Sequence, residues 1–274
     1  MMLKRKNGYS VRKVPIPRLI FNDYNAVASS FHRVMGLVEI DITKARERIR
    51  EIKEKEDYDV SFTAWIAKCT ATAVEENKEL NSYIKGRKII TFDDIDISII
   101  VEIETKTGKK IPFNYVLRDV AHKSVKDLTD EIRSVQQKKL DEHEQVSREG
   151  RTKYTPLYGI IPAFIRRFVI RRILKNPFSL KKLIGTVGIT SLGLFAQNVG
   201  GWAIPFADKT LNISIGAIKK RAIIKEDKAV EREFLCLTYL FDHNIIDGAP
   251  ATRFVSRMAD LLQNAEYLDD IRKK

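Results

Sequence analysis

The chain has 274 residues, 44% of them hydrophobic and 31% charged, which is ample for a packed core and excludes a disordered or low-complexity protein. Lysine and arginine total 49 against 36 acidic residues, a formal net charge of +13 that raises nucleic acid, membrane surfaces and phosphate-bearing ligands as partner classes. Its two cysteines, Cys69 and Cys236, lie far apart without CxxC or Cys/His spacing, so neither a disulfide scaffold nor a metal site is expected, and a cytoplasmic setting is.

The start, MMLKRKNGYS, is basic with no apolar run behind it, so no secretory signal is expected. VMGLVEIDI (34–42) predicts a strand, followed by a helix from Thr43 whose charges alternate in sign, with Thr43 as its cap. Ser61-Phe62-Thr63 opens a second helix, in which Trp65, Cys69, Ala73 and Val74 recur at helical spacing and belong to the core. IDISIIVEIE (95–104) alternates and is rich in β-branched residues, as a strand is; Gly108 marks a turn and IPFNYVL a further strand. Ser124–Lys139 predicts a helix. VGITS, LNISIGAI, AIIK and EFLCLTYLF supply four more strand candidates, and Ala249–Leu262 the last helix. The uncharged stretch Leu183–Ala207 has the length of a membrane span, but its five glycines and proline predict turns and strands. This irregular mixture argues for an α+β fold with a mixed sheet, as a single domain over 1–274.

The positive charge is concentrated. Between Gly150 and Ala207 there are nine basic residues and no acidic one, and residues 1–22 add six more, which leaves the remainder near neutral. No nucleic-acid reader motif accompanies this charge, so no nucleic-acid partner is expected; an anion-facing surface or a phosphate-bearing cofactor fits it better.

The chemistry is carried by FLCLTYLFDHNIIDGAPATRF (234–254). An apolar strand ends at Phe241, and Asp242-His243 and Asp247-Gly248 follow, leading into a helix. His-x-x-x-Asp-Gly places an imidazole at a strand end, where its unperturbed pKa of ~6.5 suits general base work. This turn, with Ala251-Thr252-Arg253-Phe254 after it, resembles the catalytic domain of the dihydrolipoamide acyltransferases of 2-oxoacid dehydrogenase complexes, which shares its fold with chloramphenicol acetyltransferase. GTVGITSLGLF (185–195) is similar to that family's Gly-Thr-Phe-Thr-Ile-Ser-Asn-Leu-Gly segment, and the likeness runs from about Gly36 to the C-terminus.

The resemblance implies a chloramphenicol acetyltransferase-like mixed-sheet sandwich with helices packed on the sheet. It also implies acyl transfer between coenzyme A and a thiol or other small acceptor, at a site shared between subunits of a homotrimer or of a larger assembly. His243 would be the general base and Thr190 the hydroxyl donor to the oxyanion. Ser191 is the alternative if the register slips by one, and is otherwise grouped with Arg167 and Arg171 in coenzyme A binding. Asp247 would hold the turn by pairing with an arginine, with Arg18 and Arg33 both in the right neighbourhood. Two departures stand out: Asn244 replaces the usual arginine after the histidine, and nothing before Gly36 can form a lipoyl domain. No lipoyl group is therefore expected on this chain, and the acyl donor is expected as a free acyl-coenzyme A thioester. The competing reading is a non-catalytic trimeric scaffold that keeps the fold for assembly.

The basic apolar segment at about 154–184 is expected to be an insertion. On a helix beginning after Pro162, Arg167, Arg171 and Lys175 share one face, Ile165, Phe168, Val169 and Ile173 gather opposite, and Pro177 stops the run. Three readings follow: a surface helix packed on its own subunit, a helix at an anionic membrane surface, and arginines aimed at coenzyme A phosphates.

Overall fold

The computed structural model describes residues 4–6, 9–11, 13–28, 32–105, 108, 110–137, 158–192 and 200–272. In chain order the elements are β1 (Lys4–Lys6), β2 (Tyr9–Val11), α1 (Ile16–Ala28), β3 (Arg33–Asp41), α2 (Thr43–Glu56) and α3 (Phe62–Glu75). Next come β4 (Ser82–Lys85), β5 (Lys88–Thr91), β6 (Ile97–Glu104), β7 (Lys110–Leu117) and α4 (Val125–Gln136). The remainder is α5 (Ala163–Leu174), α6 (Pro177–Ile184), β8 (Val187–Ser191), β9 (Leu211–Lys225), β10 (Lys228–Asp242) and α7 (Gly248–Gln263).

A six-stranded sheet of order β3-β10-β9-β8-β6-β7 organises the chain. Strand β8 runs parallel to both β6 and β9, and the other pairings are antiparallel, so the sheet is mixed as expected. Alternation sorts its side chains onto two faces. Ile97, Ile99, Ile189, Ile213, Leu237 and Tyr239 project into the main core, where they meet buried residues of α2, α3, α4 and α7. Phe254 of α7 packs edge-on against Tyr239 and Phe241, at 5.9 and 6.0 Å between ring centroids. Cys69 is buried in α3 as its spacing predicts, and the indole of Trp65 donates to the Glu266 carbonyl at 2.9 Å. The opposite sheet face carries Ser98, Thr190, Asn212 and Ser214, and this face bears the site.

Local signals explain most boundaries. Ser61 caps α3 by accepting from the Ala64 N–H, and Ser124 with Asp127 forms a reciprocal capping box on α4. Thr43 is the first helical residue of α2 and not its cap: its hydroxyl donates to Asp41 and accepts from the Glu233 N–H, tying the helix to β10. LNISIGAI and AIIK form one strand, because β9 and β10 are a continuous hairpin. Its two-residue turn, Glu226-Asp227, has φ of +52° and +58°, the geometry that suits a right-handed ribbon. Pro177 does stop α5, yet it also starts α6, where its fixed φ suits the first turn and Asn176 caps the N-terminus. The end of the predicted helix, 138–139, residues 154–157 of the predicted insertion and 193–195 of the GTVGITSLGLF motif lie outside the described residues.

One glycine is indispensable to the strand that carries Thr190. Gly185 joins α6 to β8 at φ +72°, and a Cβ there would sit 2.5 Å from the Asp96 carbonyl oxygen and 3.2 Å from Val116 Cγ1. Left-handed backbone and a clash with main chain act together. Gly185→Ala is expected to cost more than about 1 kcal/mol, read as a lower urea midpoint at unchanged slope.

Candidate active site

The histidine turn is built by hydrogen bonds that follow from its sequence. Asp242, last in β10, accepts from both the Asn244 backbone N–H (3.1 Å) and the Asn244 side-chain amide (2.7 Å), which makes an Asx turn. The Asp242 carbonyl accepts from the Ile245 and Ile246 N–H groups at 3.0 Å each, and buried Ile246 anchors the turn to the core. His243 itself donates its backbone N–H to the His32 carbonyl at 2.8 Å.

The imidazole has one fixed nitrogen. His243 Nδ1 lies 3.0 Å from the Ile246 carbonyl oxygen, and a carbonyl only accepts, so Nδ1 carries the proton. In the neutral ring, Nε2 is then left with a lone pair and is the basic atom. The side chain is 51% exposed, so a substrate can reach it. Asp247 departs from expectation. Its carboxylate is 87% exposed, and among the described residues its ionic contact is with His243 Nδ1, at 3.8 Å, and not with an arginine. Arg33 instead donates to the carbonyls of Lys209 (2.6 Å) and Ala207 (2.8 Å), and Arg18 lies 6.0 Å over the Phe21 ring. The turn is held by Asp242, Asn244 and the backbone, and the negative charge of Asp247 remains beside the ring.

Thr190 lines a cavity of about 320 Å³ on the second sheet face, beneath α1 and the 205–209 segment. Phe21, Ile100 and Phe206 give it apolar walls, and Asn114, Asp208 and Asn212 polar ones. Ser191, one residue on, projects from the other face of the strand and is not in the lining, so Thr190 carries the one hydroxyl that β8 presents to the cavity, beside Gly188 and Ile189. Thr190, Ser214 and Thr238 are register partners across β8, β9 and β10, forming a row of hydroxyls. The buried hydroxyls of Ser214 and Thr238 have no hydrogen-bond partner among the described residues.

Below the cavity sits a charge cluster, half-buried around the fully buried Lys209, that no sequence motif announces. Asp208 accepts from Tyr24 Oη at 2.5 Å and from Lys209 Nζ at 2.6 Å. Burial pushes its carboxyl up, but Lys209, Tyr24 and Arg33 outweigh this and hold it below the usual carboxylate range. Burial beside Asp208 likewise raises the Tyr24 phenol, which stays protonated. Because Arg33 is the register partner of Asp242 and also binds the 207–209 backbone, the cluster links the cavity to the histidine turn.

Within one chain the two halves do not meet. Thr190 and His243 are two strands apart and about five residues apart along them, roughly 20 Å at ~4.8 Å per strand and ~3.3 Å per residue. Of the basic residues, Arg167 is engaged by Asp23 of α1 at 3.0 Å, whereas Arg171 faces a separate cleft with Arg172 and Lys175.

Comparison with known proteins supplies the family. Residues 13–149 and 183–268 match the sequence model for 2-oxoacid dehydrogenases acyltransferase (catalytic domain), well over half of the chain. The chain belongs to this family. Among curated acyltransferases of the family, the lipoamide acyltransferase component of the branched-chain alpha-keto acid dehydrogenase complex of Bacillus subtilis is 23% identical over 235 residues, covering 84% of this chain and 46% of that protein. The acetyltransferase component of the pyruvate dehydrogenase complex of the same organism is 21% identical, covering 84% and 44%. The chain thus spans about half the length of the curated relatives it matches. Among solved structures, a probable dihydrolipoamide acetyltransferase from Listeria monocytogenes superimposes with a TM-score of 0.67 at 22% identity, over 97% of both chains. A chloramphenicol acetyltransferase superimposes with a TM-score of 0.51 at 14% identity, over 92% of this chain and 99% of that one. Both show the α+β acyltransferase fold. The family match leaves 150–182 between its two stretches, and these residues include α5.

Proposed function

We propose that this acyltransferase domain moves an acyl group between a coenzyme A thioester and a thiol or other small acceptor, with His243 as general base, in a homotrimer. The observation that carries this reading is the His243 Nδ1–H bond to Ile246, which leaves Nε2 basic and accessible. Nε2 takes the acceptor's proton as its sulfur attacks the thioester carbonyl carbon. A tetrahedral oxyanion forms, and the Thr190 hydroxyl of a neighbouring copy donates to it. Collapse breaks the carbon–sulfur bond to coenzyme A, and the departing thiolate recovers the proton from the imidazolium. A thiol acceptor, with a free pKa of ~8.5, asks far less of an imidazole base than an alcohol does.

The roughly 20 Å between Thr190 and His243 supports a site completed by a second copy. The scaffold reading accounts less well for a half-exposed imidazole held in one tautomer. The test is release of free coenzyme A thiol from short acyl-coenzyme A thioesters, with dihydrolipoamide as acceptor. Activity dependent on His243 supports the proposal. No turnover with any short-chain donor, or equal turnover by His243→Ala, overturns it.

A further inference from the structure

We infer that the outward face of α5 and the start of α6 form a docking surface for an anionic phospholipid membrane. Buried Asp23 of α1 accepts from Arg166 Nε (2.7 Å), Arg167 Nε (3.0 Å) and Tyr158 Oη (3.0 Å), so α5 is clamped along its Arg166-Ile170-Leu174 stripe. At 100° per residue, this turns Phe164, Phe168, Arg171, Arg172 and Lys175 away from the protein. Phe164 is 73% exposed, Phe168 64% and Phe178 of α6 58%, and α5 has no buried residue at all. Of the three readings of this helix, packing of its apolar side on the subunit does not hold, since Ile165, Phe168, Val169 and Ile173 are exposed. The single carboxylate of Asp23 holds both arginines and offsets one of their two charges, and the aromatic side is displayed as a result.

Charge selects the occupant. Arg171, Arg172, Lys175 and Lys85 line one cleft of about 350 Å³ with Phe168 and Asn176, and none of the four cations has an acidic partner among the described residues. Neither α5 nor α6 contains an acidic residue. Aromatic side chains set among cations on an exposed helix suit a surface with phosphate headgroups above and acyl chains below. Two copies of this face brought together would oppose cation to cation, which disfavours self-association through it.

The test is co-sedimentation of the whole protein with vesicles of phosphatidylcholine carrying about 30% phosphatidylserine, at low and high salt. Binding to the anionic vesicles, absent with pure phosphatidylcholine, is the result expected. The Arg171→Gln/Arg172→Gln/Lys175→Gln variant should bind about 100-fold more weakly, at roughly fivefold per cation. Phe164→Ser/Phe168→Ser, whose side chains are exposed and should leave the fold intact by circular dichroism, should also weaken binding at least tenfold. No binding by the parent protein, or binding indifferent to both variants, overturns the inference. So does a fall in oligomeric mass for Phe164→Ser/Phe168→Ser, which would make the face a contact between copies.

Discussion

Mixing His243→Ala chains with Thr190→Ala chains, each nearly inactive alone, should restore about a quarter of the parental acyl-transfer rate once they are unfolded together and reassembled. Losing the base should cost roughly 10²–10⁴-fold, and losing an oxyanion donor about 10²–10³-fold. If each site pairs His243 of one copy with Thr190 of the next, random reassembly leaves about one interface in four with both residues intact. The expectation follows from register: Thr190 pairs with Ser214, Ser214 with Thr238, and His243 lies five residues past Thr238. No side-chain rotation closes such a gap within a chain. Recovery above the sum of the two single-variant controls supports the shared site, and no recovery from trimers of confirmed mixed composition rejects it. Light scattering on each variant guards against loss of assembly as the trivial cause.

Lys209→Met should be the most destabilising single change near the cavity, at about 3 kcal/mol at neutral pH, because it leaves a carboxylate that is only 16% exposed without its nearest cation. Lys209 is 5% exposed and its ammonium is 2.6 Å from Asp208. The sign with pH is fixed by the direction of the Asp208 shift. Its carboxyl is held below the usual range, so the ionised form stabilises the fold above its unfolded pKa of ~3.9, and that contribution is lost as pH falls through the lower folded value. Without Lys209 the carboxyl has less reason to stay ionised, so the difference between parent and variant should shrink as pH falls into the acidic range where the carboxyl protonates. Denaturant melts at neutral and acidic pH measure it, and an equal difference at both would reject the role given to Asp208. The Asp208→Asn/Lys209→Met double variant should recover part of the loss, since it removes both charges.

Elements built on local signals are legible in the residues themselves. The period of Trp65, Cys69 and Ala73 marks a core helix, Ser61 and Ser124 open helices, and the alternation of IDISIIVEIE marks a strand, because each signal acts within one turn or one pleat. The 16–28 helix is not legible in this way, as its stretch carries Pro17 and offers no clear apolar period. Nor is the β4–β5 hairpin, whose four-residue strands are too short to show a period. Resemblance around His243 and Thr190 singles out both residues, and alternation along β8 then separates Thr190 from Ser191.

The charge cluster is out of reach for a different reason. Tyr24, Arg33 and Asp208 are separated by up to 184 residues, and Asp208-Lys209 reads as an ordinary loop pair until burial makes its charges costly. The nearest available signals are the polar residues at alternate positions in LNISIGAI and EFLCLTYLF, which become Asn212, Ser214 and Thr238 on the cavity face. Composition likewise shows that 157–183 is both basic and apolar without deciding which side faces inward; two arginines closing on Asp23, over 140 residues away, decide it. The sequence by itself determined most strands of the main sheet, the core helices and the histidine turn, since these depend on neighbours a few residues apart. Tertiary structure alone decided which hydroxyl meets the cavity, which cations are neutralised and which aromatic rings stay outside, because burial and charge pairing arise only when distant segments meet.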